Sequence, residues 1–383
     1  MPISLSGKSE CSGCAACVNK CPKQCIELAE DECGFRYPKV DQSKCINCEL
    51  CVKVCPIRNH MKSEYTIQSV YAAWSLNPEL REKSTSGGVF SELAYQFIAD
   101  GGAVCGAEYD SDNMIRHSLV IASEGIAKLR QSKYAQSSIG EVFREIKETL
   151  RTRPVLFCGA PCQAAGLISF LGKRPENLFI IDFICRGVNS PKAYREWLKE
   201  LEDLQNSKAT RVWFKYKADG WKKSPKCTRI DFADQSHIVQ RGEKNTFMLG
   251  YLRGNLYIRP SCGDCIFKGT ERFGDITVGD FWGIDEKYDD DKGTSLVIVN
   301  SDSGKKLLES IHHKLFIIER NPDEIAAGNV CFAGSVKINP KSEMFLKELG
   351  NQVPFSKLIK KYTAEKISIK IKRRIKKILK IKK

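Results

Sequence analysis

Histidine is scarce in this chain: five in 383 residues, scattered except for the adjacent His312-His313. His60 and that pair read as surface residues. No H-E-x-x-H or Ser-His-Asp arrangement is present, so hydrolysis has no support. No G-x-G-x-x-G follows a strand pattern and no Walker-type phosphate loop occurs, so the Rossmann and P-loop classes fall away. Long apolar runs are missing too, since none approaches the roughly 18 residues needed to span a bilayer. The opening MPISLSGKSE has no apolar signal-peptide core, so no secretory signal is expected. The remaining composition, 42% hydrophobic and 28% charged, is that of a soluble globular protein. The length allows two or three domains, one with a sizeable core.

Cysteine, by contrast, is abundant and unevenly placed, with ten of eighteen in the first sixty residues. Cys11, Cys14, Cys17 and Cys21-Pro22 spell C-x2-C-x2-C-x3-C-P, and Cys45, Cys48, Cys51 and Cys55-Pro56 repeat it 34 residues later. This run is the signature of a bacterial two-cluster ferredoxin, in which the fourth cysteine of each run ligates the other cluster. Cys11, Cys14, Cys17 and Cys55 are thus expected to hold one [4Fe–4S] cube, and Cys45, Cys48, Cys51 and Cys21 the second. Three thiolates at i, i+3 and i+6 wrap a tight loop around a cubane. The proline then keeps the fourth thiolate from returning to the same loop. Structural zinc also uses paired C-x2-C, but has no use for a third step written twice. Cys25 and Cys33 fall outside both motifs and read as small buried hydrophobes. So many thiols without a secretory signal indicate a reducing cytosol, hence a cytoplasmic protein.

The net charge of +15 is local: residues 366–383 hold ten Lys/Arg and no acid, leaving +5 for the rest. In that stretch Ile367, Ile371, Ile375, Ile378 and Leu379 recur at helical spacing. The pattern is a basic amphipathic helix of the kind that lies on an anionic membrane surface. A solvated tail, or a site for an acidic partner, is the other reading. The tail and Arg211–Lys223 also motivate nucleic-acid binding, but nucleic acid is not the expected partner.

The chain divides into a ferredoxin-type domain at 1–60, a polar linker at 61–69, a body at 70–350 and a basic tail at 351–383. Within the body, strand patterns at Ser69–Trp74, Ala103–Ala107, Ile115–Ile121, 154–157 and Leu178–Ile184 alternate with amphipathic helices at Gly87–Ala99, Ile139–Leu150 and Pro191–Leu204. That alternation predicts an α/β or α+β core behind the small ferredoxin domain. Residues 211–260 read as a strand-rich, aromatic and basic insertion.

Sulfur gathers a second time in the body. Cys162 follows one buried strand pattern, Cys185 ends the next, and Cys262 and Cys265 form a C-x2-C. Ligands of open α/β sheets collect beyond the C-terminal ends of strands, where Cys162 and Cys185 would emerge. Four thiolates suffice for a third [4Fe–4S] cube, although spacing alone also allows zinc or buried structural cysteines. Cys158 reads as structural.

At this point the sequence resembles a known family, the flavin and iron–sulfur β subunits of coenzyme F420-reducing hydrogenases and F420-linked dehydrogenases. Plant 7-hydroxymethyl chlorophyll a reductase and many bacterial proteins belong to the same group. The resemblance covers roughly 70–290 and rests on five ordered stretches. These are Ser84-Thr85-Ser86-Gly87-Gly88, Lys133-Tyr134-Ala135-Gln136-Ser137, Gly159-Ala160-Pro161-Cys162-Gln163, Cys185-Arg186-Gly187 through Pro191, and Cys262-x2-Cys265 followed by Gly274–Gly283. It implies an FAD in the body and a cluster on Cys162, Cys185, Cys262 and Cys265. Two departures stand out: Ala160 replaces the family's usual Thr, and Arg186 its usual His. An arginine beside a cluster would raise its potential by favouring the more negative, reduced state.

Ser86-Gly87-Gly88 at a helix start offers converging backbone amides to a pyrophosphate, or is an ordinary N-cap. Lys133, Tyr134, Gln136 and Ser137 provide a cation, a stacking ring and polar contacts suited to a flavin, or, taken alone, a surface approach to a helix. The glycines around Asp275 and Asp280 read as a backbone brought close to cluster and cofactor, a pair of tight turns being the other reading. The expected function is an iron–sulfur flavoprotein oxidoreductase, relaying single electrons to FAD and a two-electron substrate. Association with bacterial relatives points to surface-polysaccharide metabolism, and the expected redox partner is ferredoxin or a deazaflavin. The alternative is a flavin-free electron-transfer subunit of a larger complex.

Overall fold

The computed structural model describes residues 3–364 apart from Ser6 and Glu64, so the amphipathic stretch at 366–383 lies outside the described residues. Near the N-terminus β1 (Ile26–Glu30) and β2 (Arg36–Val40) pair as an antiparallel hairpin. In the body, β3 (Ser69–Ser75), β4 (Ala103–Tyr109), β5 (Ile115–Val120), β6 (Val155–Cys158) and β7 (Leu178–Phe183) come first. Next, β8 (Ala209–Phe214), β9 (Cys227–Phe232) and β10 (His237–Arg241) form a separate antiparallel sheet. Last come β11 (Ile276–Asp280), β12 (Ser295–Val299) and β13 (Leu315–Glu319). The main sheet has the order β13-β3-β12-β11-β7-β6-β4-β5. It is mixed: β4, β6, β7 and β11 run parallel, and the flanking pairs are antiparallel.

The central strands are apolar at nearly every position because both faces are covered, as parallel strands require. Val155, Phe157, Leu178 and Ile180 face the helices Val142–Thr149 and Pro161–Leu171. On the other face, Leu156 and Ile181 meet Val89–Ala99 and Asp302–Ser310. One end of each parallel strand is therefore left to the loops: Cys162 and Cys185 follow β6 and β7, Cys262 and Cys265 lie in the segment before β11, and Asp280 ends β11.

The ferredoxin-type segment does not hang from a linker. Its Ala16, Cys17 and Val54 share one core with Phe143, Leu167 and Phe170 of the body. Residues 61–69 also follow the body: Ser63 donates to the Arg272 carbonyl, and Arg174 lies 4.9 Å over the Tyr65 ring. Between the two parts sits Arg259, fully buried. It donates to the carbonyls of Cys11 (2.7 Å) and Arg36 (3.0 Å) and to Gln136 Oε1 (3.0 Å), and its guanidinium lies 4.3 Å over Tyr37. Gly13 is needed at this contact, because a Cβ there would fall 2.2 Å from Gln136 Nε2.

The body also continues past residue 350. Phe355–Thr363, placed in the tail on sequence grounds, is a helix that buries Phe355, Leu358 and Ile359 in the core with Phe247 and Tyr257. Its apolar residues recur at helical spacing and need a partner, which the sequence alone does not identify.

Replacing Arg259 by Met would leave three buried acceptors without their charged donor. The expected loss is about 3 kcal/mol, measured as denaturant-induced unfolding of the whole protein. Proteolysis within 61–69 should accelerate in the same variant.

Candidate functional site

Each cysteine run turns through left-handed residues at matching positions. Gly13 (φ 73°) and Ala15 (φ 65°) of the first correspond to Asn47 (φ 53°) and Glu49 (φ 61°) of the second. For alanine and glutamate this backbone costs about 1 kcal/mol or more each, a strain that a tight wrap around a cluster accounts for. Backbone amides reach the sulfurs: Gly13 N–H to Cys11 Sγ at 3.3 Å, and Ile3 N–H to Cys51 Sγ at 3.3 Å.

Cys11, Cys14, Cys17 and Cys55 form one group. Burial, with the neighbouring charges of Cys11 and Cys55, pushes the Cys14 thiol up to about 12 and Cys17 well above its ordinary value. Cys21, Cys45, Cys48 and Cys51 line a second hollow, of about 20 Å³, together with Cys25. The Cys25 sulfur lies 3.4 Å from that of Cys21, so a residue read as packing borders the second group. Cys33 packs in the aromatic core under helix Pro191–Gln205.

Cys162 opens the helix Pro161–Leu171, whose start is closed by Gln163 Oε1 accepting from the Ala160 N–H at 2.9 Å. Ala160 has no hydroxyl to add to that cap. Cys162, Cys185, Cys262 and Cys265 line a common hollow of about 60 Å³. Burial and the other three thiols push Cys162 far up, and burial beside Cys262 holds Cys185 at about 12. Thiols that raise one another in this way lose their protons together only when a metal centre compensates the charge. Among the described residues no three His, Cys, Asp or Glu approach closely enough to hold one metal ion. The four sulfurs surround a space that Asp264 also borders, and four cysteines are the number that a cubane requires.

Buried charges fix the loops that carry these cysteines. Arg272 and Asp182, both buried, pair at 2.8 Å, and Arg272 also donates to the Phe183 carbonyl. Lys268 donates to the carbonyls of Cys185 and Cys331. Arg186 spends its hydrogen bonds on Asn255 Oδ1 (2.6 Å) and the Leu252 carbonyl (3.2 Å). The first and third cysteine groups adjoin: a Cβ on Gly166, in the Cys162 helix, would lie 2.9 Å from Cys14 Cβ.

A cavity of about 510 Å³ opens along the C-terminal ends of β4, β6, β7 and β11, within the usual range for cofactor sites. Cys162 and Cys185 line both this cavity and the cysteine hollow. The predicted flavin residues are here as well: Ser86, Gly88, Lys133, Tyr134, Gln136 and Ser137 all line the wall. Gly87 packs just behind, where a Cβ would sit 2.3 Å from the Ala73 carbonyl. Gly88 (φ 94°) begins the helix Val89–Ala99, whose N-terminus no side chain caps.

Most of the polar side chains are already committed. Ser86 Oγ donates to the Thr294 carbonyl, Gln136 Oε1 accepts from Arg259, and Ser137 Oγ accepts from Gln163. Lys133 Nζ donates to the carbonyls of Leu129, Arg130 and Gln131, and burial lowers it to about 7. Of the stretches expected to meet a flavin, what remains free is therefore backbone amides at an open helix start and the ring of Tyr134, beside which Tyr251 also lines the wall.

Several wall residues carried no signal in the sequence. His117 occupies an inward position of β5, its Nε2 3.2 Å from the Cys158 carbonyl and its ring stacked on Phe157. Its Nδ1 has no partner. Lys215 and Cys331 line the cavity too, beside Trp282 of the Gly274–Gly283 stretch that the resemblance had already singled out.

Iron–sulfur electron transfer is the class that this fold and these cysteine groups define. The chain belongs to the coenzyme F420 hydrogenase/dehydrogenase β-subunit family, preceded by a 4Fe-4S dicluster domain. Residues 70–144 match the N-terminal model of that subunit, 152–325 its C-terminal model, and 10–59 the dicluster model. No curated protein matches the chain. Among solved structures it is similar to a chain of the F420-reducing [NiFe] hydrogenase complex from Methanosarcina barkeri. The identity is 16% and the TM-score 0.45, covering 78% of this chain and 89% of that one. No helix among the described residues is long and apolar enough to cross a membrane.

Burial pulls His117 down to about 4 from 6.5. The unfolded chain therefore binds a proton that the folded chain refuses, and stability falls as pH drops from about 6.5 towards 4. On the order of 3 kcal/mol should be lost across that window. Denaturation at several pH values should show His117→Gln, which keeps a donor for the Cys158 carbonyl, losing less.

Proposed function

We propose that this chain is an iron–sulfur flavoprotein oxidoreductase. Single electrons enter at the two N-terminal clusters, pass to a third [4Fe–4S] cluster on Cys162, Cys185, Cys262 and Cys265, and end at an FAD in the main cavity. The observation that carries this reading is the shared wall: Cys162 and Cys185 border both the cysteine hollow and the cavity. The FAD would supply the exchange between one-electron donors and a two-electron substrate.

The protein's own part is to hold and to exclude. Gly88 and the uncapped start of Val89–Ala99 suit a pyrophosphate, with Gly87 packed behind and its N–H given to Ser295 Oγ, and Tyr134 and Tyr251 present ring faces. Arg259 and Gly166 keep the first cysteine group against the third. Cys48, exposed in the second group, makes that end the port for a one-electron partner such as ferredoxin, with a deazaflavin the other candidate partner. The two-electron substrate belongs to surface-polysaccharide metabolism in this reading, by association with the relatives that the sequence resembles. The functional division is a ferredoxin-type domain at 1–60 and a flavin and iron–sulfur body beginning near residue 70.

Protein purified without oxygen should contain about twelve irons and one FAD. Cys185→Ala should lose about four of those irons while the paramagnetic signals of the N-terminal pair persist. About eight irons and no flavin in the unmodified protein would instead mark a flavin-free electron-transfer subunit.

A further inference from the structure

Electrons that travel through iron–sulfur clusters bring no protons, whereas two-electron reduction of a flavin takes one up. The cavity therefore needs a proton inlet, and few of its charged groups are free to serve. Arg130 and Arg186 keep their protons at any working pH. His117 places its Nε2 against the Cys158 carbonyl, and Lys133 is spent on three carbonyls.

Lys215 and Asp280 differ from these. Lys215 follows β8 in a left-handed backbone (φ 53°), and its side chain is only 3% exposed. Its ammonium pairs with Asp280 Oδ2 and lies 5.1 Å over the Trp282 ring, which stacks on Trp221 at 4.3 Å. Asp280 ends β11 at the sheet edge where ligands gather. Its side chain is 20% exposed, and its Oδ1 has no hydrogen-bond partner. The two residues come from different sheets and both line the cavity. A sequestered ion pair with an unsatisfied acceptor is a poor stabilising device. Its arrangement, with the acid the more exposed partner although its Oδ1 is itself buried, and the ammonium inside, is that of a relay.

We propose that Lys215 and Asp280 are the proton inlet of the flavin cavity. As two electrons arrive from the clusters, Lys215 gives one proton to the flavin. With an FAD bound, its two-electron reduction would take up one proton, which Lys215 would supply, and the neutral amine would be recharged from solvent through Asp280. This inference rests on the flavin reading above.

The test follows flavin bleaching by stopped flow, with reduced methyl viologen as the one-electron donor and FAD and iron content measured alongside. Lys215→Arg keeps the charge and the ion pair but releases no proton. Both it and Lys215→Met should retain FAD and iron yet reduce the flavin about 100-fold more slowly, the loss typical of a removed general acid. Added ethylamine should partly restore Lys215→Met. A wild-type rate in Lys215→Arg, or in Lys215→Met, would overturn the inlet while leaving the flavin reading intact. Wild-type protein that binds no FAD would overturn both.

Discussion

One buried guanidinium ties the electron-transfer parts of this molecule together. Arg259 reaches the Cys11 carbonyl in the first cysteine loop, the Arg36 carbonyl in the N-terminal hairpin and the Gln136 amide in the cavity wall. Taking such a charge out of water costs several kcal/mol, and only full hydrogen bonding offsets it. The arginine is therefore held by both parts or by neither. Without it the ferredoxin-type segment would keep its apolar contact with Phe143 and Phe170, but that contact is non-directional. Arg259 supplies the orientation that sets Cys14 against the helix of Cys162.

The same economy recurs around the third cysteine group. Its four thiols come from the segment after β6, the loop after β7 and the segment before β11, spread from Cys162 to Cys265. Apolar strands bring those loops to one edge of the sheet. The buried pair of Arg272 with Asp182, and Lys268 on two carbonyls, then fix where each loop stops. Parallel strands leave their C-terminal ends open by construction, so cysteines and cavity arise at one place from one topological cause. Membership of the β-subunit family agrees with this layout, a dicluster segment in front of a mixed α/β body.

Much of this was legible before any fold was known, and for a definite reason. Cluster ligation is written locally: three thiolates at fixed short spacing, and a proline. The central strands were equally legible, because residues buried on both faces are apolar at consecutive positions. Strand and helix boundaries shifted by only a few residues, as with Val89–Ala99 for 87–99 and Val142–Thr149 for 139–150. The convergence of Cys162, Cys185, Cys262 and Cys265 was an expectation from order along the chain, and the geometry does bring them together.

The rest depended on contacts distant in sequence. His117 looks like any polar residue of an alternating strand until Phe157 and the Cys158 carbonyl close over it. Lys215 was one cation in a basic, aromatic stretch, and its partner Asp280 lies on another sheet. Cys25 passed for packing until its sulfur came within 3.4 Å of Cys21, and Phe355–Thr363 passed for tail until Phe247 and Tyr257 covered it. Spacing along a chain states which atoms a short loop can bring to one cluster. Which side chains lose water together, and so which charges must find each other, follows only from the way the sheets pack.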